Sequence, residues 1–162
     1  MKTEITLTIN GKPRKAWVEP RQSLADLLRE EMRLTATHLG CEHGVCGACT
    51  ILLNGDPARS CIALAVTLDG SEVRTLEGMQ DDALMGVIKQ SFHEEHGLQC
   101  GFCTPGMLIS SHDLLRRKSG LDEGEIRTAM SGNLCRCTGY QGIVRSIKAA
   151  ADKLAAGKEV SS

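Results

Sequence analysis

The chain has 162 residues, with 19 Lys and Arg against 20 Asp and Glu, so its formal net charge at pH 7 is -1. Its hydrophobic fraction of 41% and its charged fraction of 24% are typical of one or two small globular domains. Aromatic residues make up only 2% of the chain. Without an excess of positive charge or rings to stack on bases, the composition argues against nucleic acid as a partner.

The apolar segments are too short to cross a bilayer, because the longest uninterrupted run, 61–66, falls far short of the roughly 20 residues of a membrane helix. The residues after Met1 pass directly into a strand-like pattern, without the basic and apolar regions of an export signal or a twin-arginine pair. We therefore predict a cytoplasmic protein with no membrane span.

The first part of the chain has the alternating pattern of β-strands. Ile5, Leu7 and Ile9 alternate with polar residues, and Asn10-Gly11 favours the tight turn of a hairpin before a second strand at about 15–18. The pattern predicts a half-buried β-hairpin at the start of the chain.

A helix and a second hairpin are predicted next. Leucines repeat at helical spacing over 24–32, after Ser23, which with an acidic residue three positions later resembles a capping box. A strand at 50–53 leads into the turn Asn54-Gly55, and a last strand is expected near 72–76. This part of the chain is therefore an α+β unit.

After Gly78 the spacing of apolar residues changes from two to about 3.6, the period of an α-helix. Four helices follow: one from Asp81 or Asp82, one with Thr104 as N-cap and Pro105 in its first turn, a shorter one framed by Asp122 and Glu125, and one from about 140 to 156. We predict an α+β fold with a first domain over 1–77, a helical domain over 78–157 and a tail over 158–162.

The eight cysteines fall into two groups, of which the first is Cys41, Cys46, Cys49 and Cys61. The C-x4-C-x2-C spacing with a distant fourth cysteine is the plant-type spacing for a [2Fe–2S] cluster. Gly44 and Gly47 leave the loop backbone free to wrap a cluster and direct N–H groups at its sulfurs. Zinc is disfavoured because this spacing is not a zinc-knuckle pattern, and His43 is predicted to be a surface residue.

The second group is Cys100, Cys103, Cys135 and Cys137. Two of them precede one predicted helix and two precede another, so two positive helix ends would face one cluster of thiolates. Four sulfur ligands suit either a second [2Fe–2S] cluster or tetrahedral zinc, and spacing alone does not separate the two. Disulfides are disfavoured because no export signal is recognised and a Cys135–Cys137 bridge would close a small strained ring.

Three segments carry a family resemblance: CEHGVCGACT from Cys41, QCGFCTPG from Gln99 and GNLCRCTGY from Gly132. They resemble the signatures of the small iron–sulfur subunit of molybdenum hydroxylases, the group of xanthine dehydrogenase, aldehyde oxidoreductase and carbon monoxide dehydrogenase. All eight cysteines match, and the likeness covers nearly the whole chain. It implies an N-terminal ferredoxin-like β-grasp domain and a C-terminal four-helix domain, each with one [2Fe–2S] cluster.

The resemblance also implies partners. The cluster of the helical domain would lie near a molybdopterin-type molybdenum cofactor in a large subunit, with Gln99 and Cys137 closest to the pterin. The plant-type cluster would face a medium subunit that carries FAD, so electrons would pass from molybdenum through the second cluster and then the first to the flavin. A dimer of heterotrimers, a heterohexamer, is the implied assembly. This chain would supply no catalytic residue and would not turn over substrate alone.

Two other functions compete with this one. A free two-cluster ferredoxin would diffuse between redox partners, but free plant-type ferredoxins are generally strongly acidic, and a net charge of -1 gives little steering. The third possibility is a binding module without redox activity, in which zinc holds the helical half together. Metal analysis with visible absorption separates it from the other two.

Overall fold

The computed structural model describes residues 1–159. The strands and α-helices are, in chain order, β1 (Thr3–Ile9), β2 (Lys12–Val18), α1 (Leu24–Asp26), β3 (Thr50–Leu53), β4 (Asp56–Arg59), β5 (Glu72–Arg74), α2 (Ala83–Glu94), α3 (Thr104–Arg117), α4 (Glu123–Met130) and α5 (Gln141–Glu159).

The five strands form one mixed sheet in the order β2-β1-β5-β3-β4. Strands β1 and β2 form the first hairpin, in which Asn10 and Gly11 have φ angles of 51° and 76°, and Asn54 and Gly55 make the same turn between β3 and β4. Central strand β5 lies parallel to β1 and antiparallel to β3. This sheet, with a short helix after its first hairpin, is the β-grasp arrangement, so the predicted fold class is confirmed.

The predicted helix over 24–32 exists, but only its first turn is α-helical. The hydroxyl of Ser23 accepts a hydrogen bond from the Asp26 N–H across 3.1 Å and so caps the start. From Leu27 to Glu31 the backbone is π-helical, and the Met32 N–H bonds to a carbonyl five residues back. Leucine spacing identifies the buried side of this segment but does not distinguish the two hydrogen-bonding patterns.

Strand β3 contributes to two hydrophobic cores. Ile51 is fully buried in the core between the sheet and the first helix, and Leu52 packs into the core of the helical half. Successive residues of a strand point to opposite faces, so one strand serves both cores. The two halves are therefore packed against each other, and the boundary between 77 and 78 stays our prediction.

The helices of the second half start near the predicted residues, with one difference in the caps. Asp82 caps α2, and Asp122 with Glu125 forms a complete capping box at α4. The N-cap of α3 is Cys103 rather than Thr104, which is already the first helical residue. The thiol of Cys103 is a weak acceptor, and its carbonyl rather than its side chain begins the helical bonding by accepting the Met107 N–H.

Helix α5 ends three residues later than predicted. It runs through Glu159, beyond the expected end near 156, and so includes the first two residues of the predicted tail. Residues 160–162 of that tail lie outside the described residues. No helix within residues 1–159 is both long enough and apolar enough to cross a membrane.

Candidate metal centres

The first four cysteines are brought together by the β3–β4 hairpin and the loop before it. Cys49 directly precedes β3, and Cys61 lies in a 3-10 turn just after β4, so the hairpin places their thiols in contact. The thiols of Cys41 and Cys46, in the preceding loop, also contact each other. Because Cys41 and Cys49 both act electrostatically on Cys61, the two pairs belong to one site.

Backbone N–H groups surround the sulfur of Cys41. Those of His43, Val45 and Cys46 lie 3.5, 3.3 and 3.4 Å from it. These hydrogen bonds, the one from Cys46 foremost, lower the pKa of Cys41 to about 6 and favour its thiolate. Burial instead raises the pKa of Cys61 to about 11, so a metal must displace the proton of that thiol.

The two predicted loop glycines, Gly44 and Gly47, have φ angles of +86° and +77°, which L side chains rarely adopt. A Cβ at Gly44 would lie 2.9 Å from the Cδ1 atom of Ile62. At Gly47 it would lie 2.6 Å from the carbonyl oxygen of Gly132. Gly44 therefore lets the loop approach the turn that carries Cys61, and Gly47 lets it approach the helical half.

The second four cysteines lie in the two segments that lead into α3 and α5. The thiol of Cys100 contacts that of Cys137, and the thiol of Cys103 contacts that of Cys135. Cys100 and Cys137 are exposed, whereas the other two are partly buried. The structure thus brings together the four residues that the sequence grouped, at the starts of two helices. Gln99 lies beside them and is exposed.

Hydrogen bonds to sulfur differ within this second group. The Phe102 N–H lies 3.5 Å from the sulfur of Cys100 and lowers its pKa. Burial raises the pKa of Cys103 to about 12. Burial acts on Cys135 in the same direction, but hydrogen bonds from the hydroxyl and N–H of Thr138, the Cys137 N–H and the Cys103 thiol together lower the Cys135 pKa. Thr138 was not singled out from the sequence, although it stands within the GNLCRCTGY segment.

The thiols meet in two pairs at each site, and this arrangement fits a two-iron cluster. A [2Fe–2S] cluster takes two protein thiolates on each of its irons. Structural zinc requires four ligands around one centre. The donor set therefore fits [2Fe–2S] better than zinc at both sites.

The two sites are joined by hydrogen bonds between their loops. The Leu134 N–H, one residue before Cys135, donates to the carbonyl oxygen of Cys46 across 2.8 Å. The side-chain amide of Asn133 donates to the carbonyl oxygen of Gly47 across 3.2 Å, and this amide is buried. The positions of the two groups of thiols are thereby fixed relative to each other.

Arg59 and His38 add three contacts that sequence reasoning missed. One guanidinium nitrogen of Arg59 donates to the carbonyl oxygen of Gly132 and another to the hydroxyl of Thr50, both across 2.6 Å. The ring of His38 stacks on that of Phe102 with centroids 4.8 Å apart. No spacing rule relates Arg59 to Gly132 or His38 to Phe102, which are 73 and 64 positions apart, so these two contacts have no sequence signal.

Comparison with known proteins agrees with this geometry. The [2Fe-2S] binding domain family matches residues 75–148, and the 2Fe-2S iron-sulfur cluster binding domain family matches residues 7–77. The gamma subunit of caffeine dehydrogenase from Pseudomonas sp. strain CBB1 is 54% identical over 147 residues, which cover 89% of this chain and 88% of that subunit. The chain belongs to the iron–sulfur subunits of the molybdenum hydroxylase family.

Further relatives of this iron–sulfur subunit span nearly the same length. The small subunit of nicotine 6-hydroxylase from Paenarthrobacter nicotinovorans is 49% identical over 146 residues, which cover 90% of this chain and 88% of that subunit. A chain in the crystal structure of quinoline 2-oxidoreductase from Pseudomonas putida 86 superposes with a TM-score of 0.88 at 48% identity. That match covers 96% of this chain and 98% of the other.

Exposed apolar side chains surround both centres of the iron–sulfur subunit. Among residues 1–159, most of the large exposed hydrophobic residues lie within three positions of a cysteine: Val45, Ile62, Leu64, Leu98, Phe102 and Leu134. Exposed apolar residues concentrated in this way mark surfaces that other proteins cover. In the chain, three of the six flank the first group of cysteines and three flank the second. Phe102 also stacks on His38, and the Leu134 N–H also bonds to Cys46, so these two residues lie between the centres.

Proposed function

We propose that this subunit relays electrons one at a time from a molybdopterin-type molybdenum cofactor in a large partner subunit to FAD in a medium partner subunit. The ligands would be Cys41, Cys46, Cys49 and Cys61 for the first [2Fe–2S] cluster and Cys100, Cys103, Cys135 and Cys137 for the second. When bound, the clusters would supply one-electron chemistry. The observation that carries the proposal is the pair of tetrathiol sites joined by the hydrogen bond from Leu134 to Cys46.

The protein's own groups would hold and tune the clusters. The N–H groups that converge on Cys41, and the loop backbone freed by Gly44 and Gly47, would offset the negative charge of four thiolates and two sulfides. The hydrogen bonds between the loops would keep the two centres at a constant separation. This chain would thus determine the reduction potential, the position and the burial of the clusters. The reaction of the substrate would take place on the large subunit.

The exposed side of the second site would face the molybdenum subunit. Gln99 and Cys137 are both exposed there, in line with their proposed position next to the pterin. The apolar side chains around Cys61 would face the FAD subunit. We further propose a dimer of heterotrimers and a cytoplasmic location, both of which rest on the sequence.

The test is purification of the subunit from its native host, with metal, sulfide and flavin analysis and electron paramagnetic resonance after dithionite reduction. We expect about four irons and four sulfides per chain, two distinct S = 1/2 signals, and molybdenum and FAD in the same complex. One signal with stoichiometric zinc would reject the second cluster. Two signals from a chain that purifies without molybdenum or FAD would instead support a free two-cluster ferredoxin.

A further inference from the structure

The side chain of Thr138 makes a contact with a cysteine sulfur that has no counterpart elsewhere in the described chain. Its hydroxyl oxygen lies 3.1 Å from the sulfur of Cys135, and its backbone N–H lies 3.5 Å from the same atom. Within residues 1–159, every other hydrogen bond that a non-cysteine residue donates to a cysteine sulfur comes from a backbone N–H. Thr138 is thus the one side-chain donor in that set.

The surroundings of the hydroxyl determine where its proton points. A threonine hydroxyl has one proton to donate and lone pairs that accept. The Tyr140 N–H donates to the Thr138 oxygen across 3.1 Å, so it uses a lone pair and leaves the hydroxyl proton available for the Cys135 sulfur.

Tyr140 also holds this turn from the other side. Its phenol oxygen accepts the Cys135 N–H across 3.0 Å, and its backbone has a φ of +67°. The hydrogen bonds among Cys135, Thr138 and Tyr140 therefore form a closed ring, in which the backbone N–H of Tyr140, rather than its phenol, orients the Thr138 hydroxyl on the sulfur.

We propose that the Thr138 hydroxyl raises the reduction potential of the second [2Fe–2S] cluster by donating a hydrogen bond to the Cys135 sulfur. The inference rests on the proposed function, because it takes Cys135 as a cluster ligand. Reduction adds one electron to the cluster and converts one ferric iron to ferrous, while no bond breaks and the hydroxyl keeps its proton. The added negative charge strengthens the hydrogen bond, so the donor favours the reduced state.

The first centre lacks this kind of control. Apart from the Cys46 thiol, the groups that donate to its Cys41 sulfur among the described residues are backbone N–H groups, which only a change to proline would remove. The potential of the second cluster, by contrast, depends on one replaceable side chain. The first cluster therefore serves as an internal reference in the same molecule.

The test is a redox titration of the purified complex, with both cluster signals followed by electron paramagnetic resonance. Thr138→Val removes the hydroxyl and nearly keeps the side-chain shape, and we expect a lower potential for the second cluster and an unchanged potential for the first. Thr138→Ser restores the hydroxyl and should return the potential to the wild-type value. Thr138→Ala, which removes the hydroxyl without branching, provides the same measurement if the valine variant binds less iron.

A matched control separates the hydroxyl from general loosening of the turn. Tyr140→Phe removes the acceptor of the Cys135 N–H and leaves the Thr138 hydroxyl in place, so the second cluster should keep a potential near the wild-type value. An unchanged potential in Thr138→Val, or an equal drop in Thr138→Ser, would overturn the inference. Failure of the proposed function looks different, because the wild-type chain would then lack the second signal or would purify without molybdenum and FAD.

Discussion

The backbone N–H of Leu134 donates a hydrogen bond to the carbonyl oxygen of Cys46 across 2.8 Å, although the two residues belong to different halves of the protein. Leu134 directly precedes Cys135 of the second group of thiols, and Cys46 belongs to the first group. This hydrogen bond therefore connects the two centres through only a few covalent bonds on either side. The Asn133–Gly47 bond beside it joins residues 86 positions apart. The two cluster-binding loops thus form one structural unit.

Gly47→Ala should disrupt this unit more than an equivalent change elsewhere. Alanine at a positive φ costs about 1–2 kcal/mol, and its Cβ would meet the Gly132 carbonyl at 2.6 Å and the Asn133 amide at 2.7 Å. Overpacking of this kind adds about 1–3 kcal/mol. We expect the free energy of unfolding in urea to fall by about 2–5 kcal/mol.

Gly55→Ala is the matched control for this change. Gly55 has a φ of +87° in the β3–β4 turn, and a Cβ there would have no neighbour within 4 Å. Only the conformational penalty of about 1–2 kcal/mol applies. Equal losses in the two variants would contradict the view that Gly47 is required for contact between the halves.

A pair of cysteine substitutions tests whether the two groups of thiols bind separate clusters. Cys137→Ser should remove or alter the second signal in electron paramagnetic resonance and stop electron flow from molybdenum, while the plant-type signal stays. Cys46→Ser should remove or alter the plant-type signal and leave the second signal in place. Its backbone carbonyl still accepts the bond from Leu134. Loss of both signals in either variant would contradict the assignment of one cluster to each group.

The sequence predicted local features well because local features carry local signals. The turn at Asn10-Gly11 and the helix starts near Asp82 and Asp122 all follow from neighbouring residue types, and the structure confirms each. Cysteine spacing likewise grouped the thiols that the fold brings together.

Contacts between the halves could not be predicted in this way. The sequence indicates only that Gly47 belongs to the cluster loop. In the structure its carbonyl oxygen accepts a hydrogen bond from Asn133, and a Cβ at this position would collide with Gly132 of the helical half. The ion pair between Arg74 and Asp82 and the burial of His112 depend on how β5 and α3 pack against the start of α2. Such contacts arise from tertiary packing, and neither periodicity nor spacing encodes them.

Asp82 should contribute more to stability than an ordinary helix cap. Its carboxylate accepts the Met85 N–H at 2.9 Å, pairs with Arg74 at 3.1 Å and lies 3.2 Å from the imidazole of the buried His112. Asp82→Ala should cost about 2–3 kcal/mol in urea unfolding, because it removes a cap and two partly buried contacts from different elements. Asp122→Ala, which removes an exposed cap, should cost about 1 kcal/mol.

The contribution of Asp82 should also depend on pH. Burial raises the pKa of Asp82, but the Met85 N–H, His112 and Arg74 together hold it below the usual 3.8. A carboxyl group with a lowered folded-state pKa stabilises the protein above about pH 4, and this stabilisation is lost as the pH falls through the folded-state value. The difference between wild type and Asp82→Ala should therefore shrink below about pH 4 in unfolding measured from pH 3 to 7. A difference that grows on acidification would contradict the assignment.

The exposed apolar side chains near the two centres should contact different partner subunits. Leu98 is 42% exposed beside Gln99, and Ile62 is 61% exposed beside Cys61. A charged side chain buried without a partner in an interface is strongly unfavourable, so Leu98→Glu should release the molybdenum subunit and Ile62→Glu the FAD subunit. Each loss is measured as the molybdenum and flavin content of the complex that is purified together with this chain.

Trp17 provides the matched control, because it is 58% exposed on the edge strand β2 and has no cysteine near it in the chain. Trp17→Glu changes an equally exposed apolar residue and should leave molybdenum, FAD and both cluster signals at wild-type levels. If Leu98→Glu released the flavin subunit instead, the order of the two centres in the relay would have to be reversed. Retention of both partners by Leu98→Glu and Ile62→Glu would mean that the apolar surroundings of the centres are not the docking surfaces.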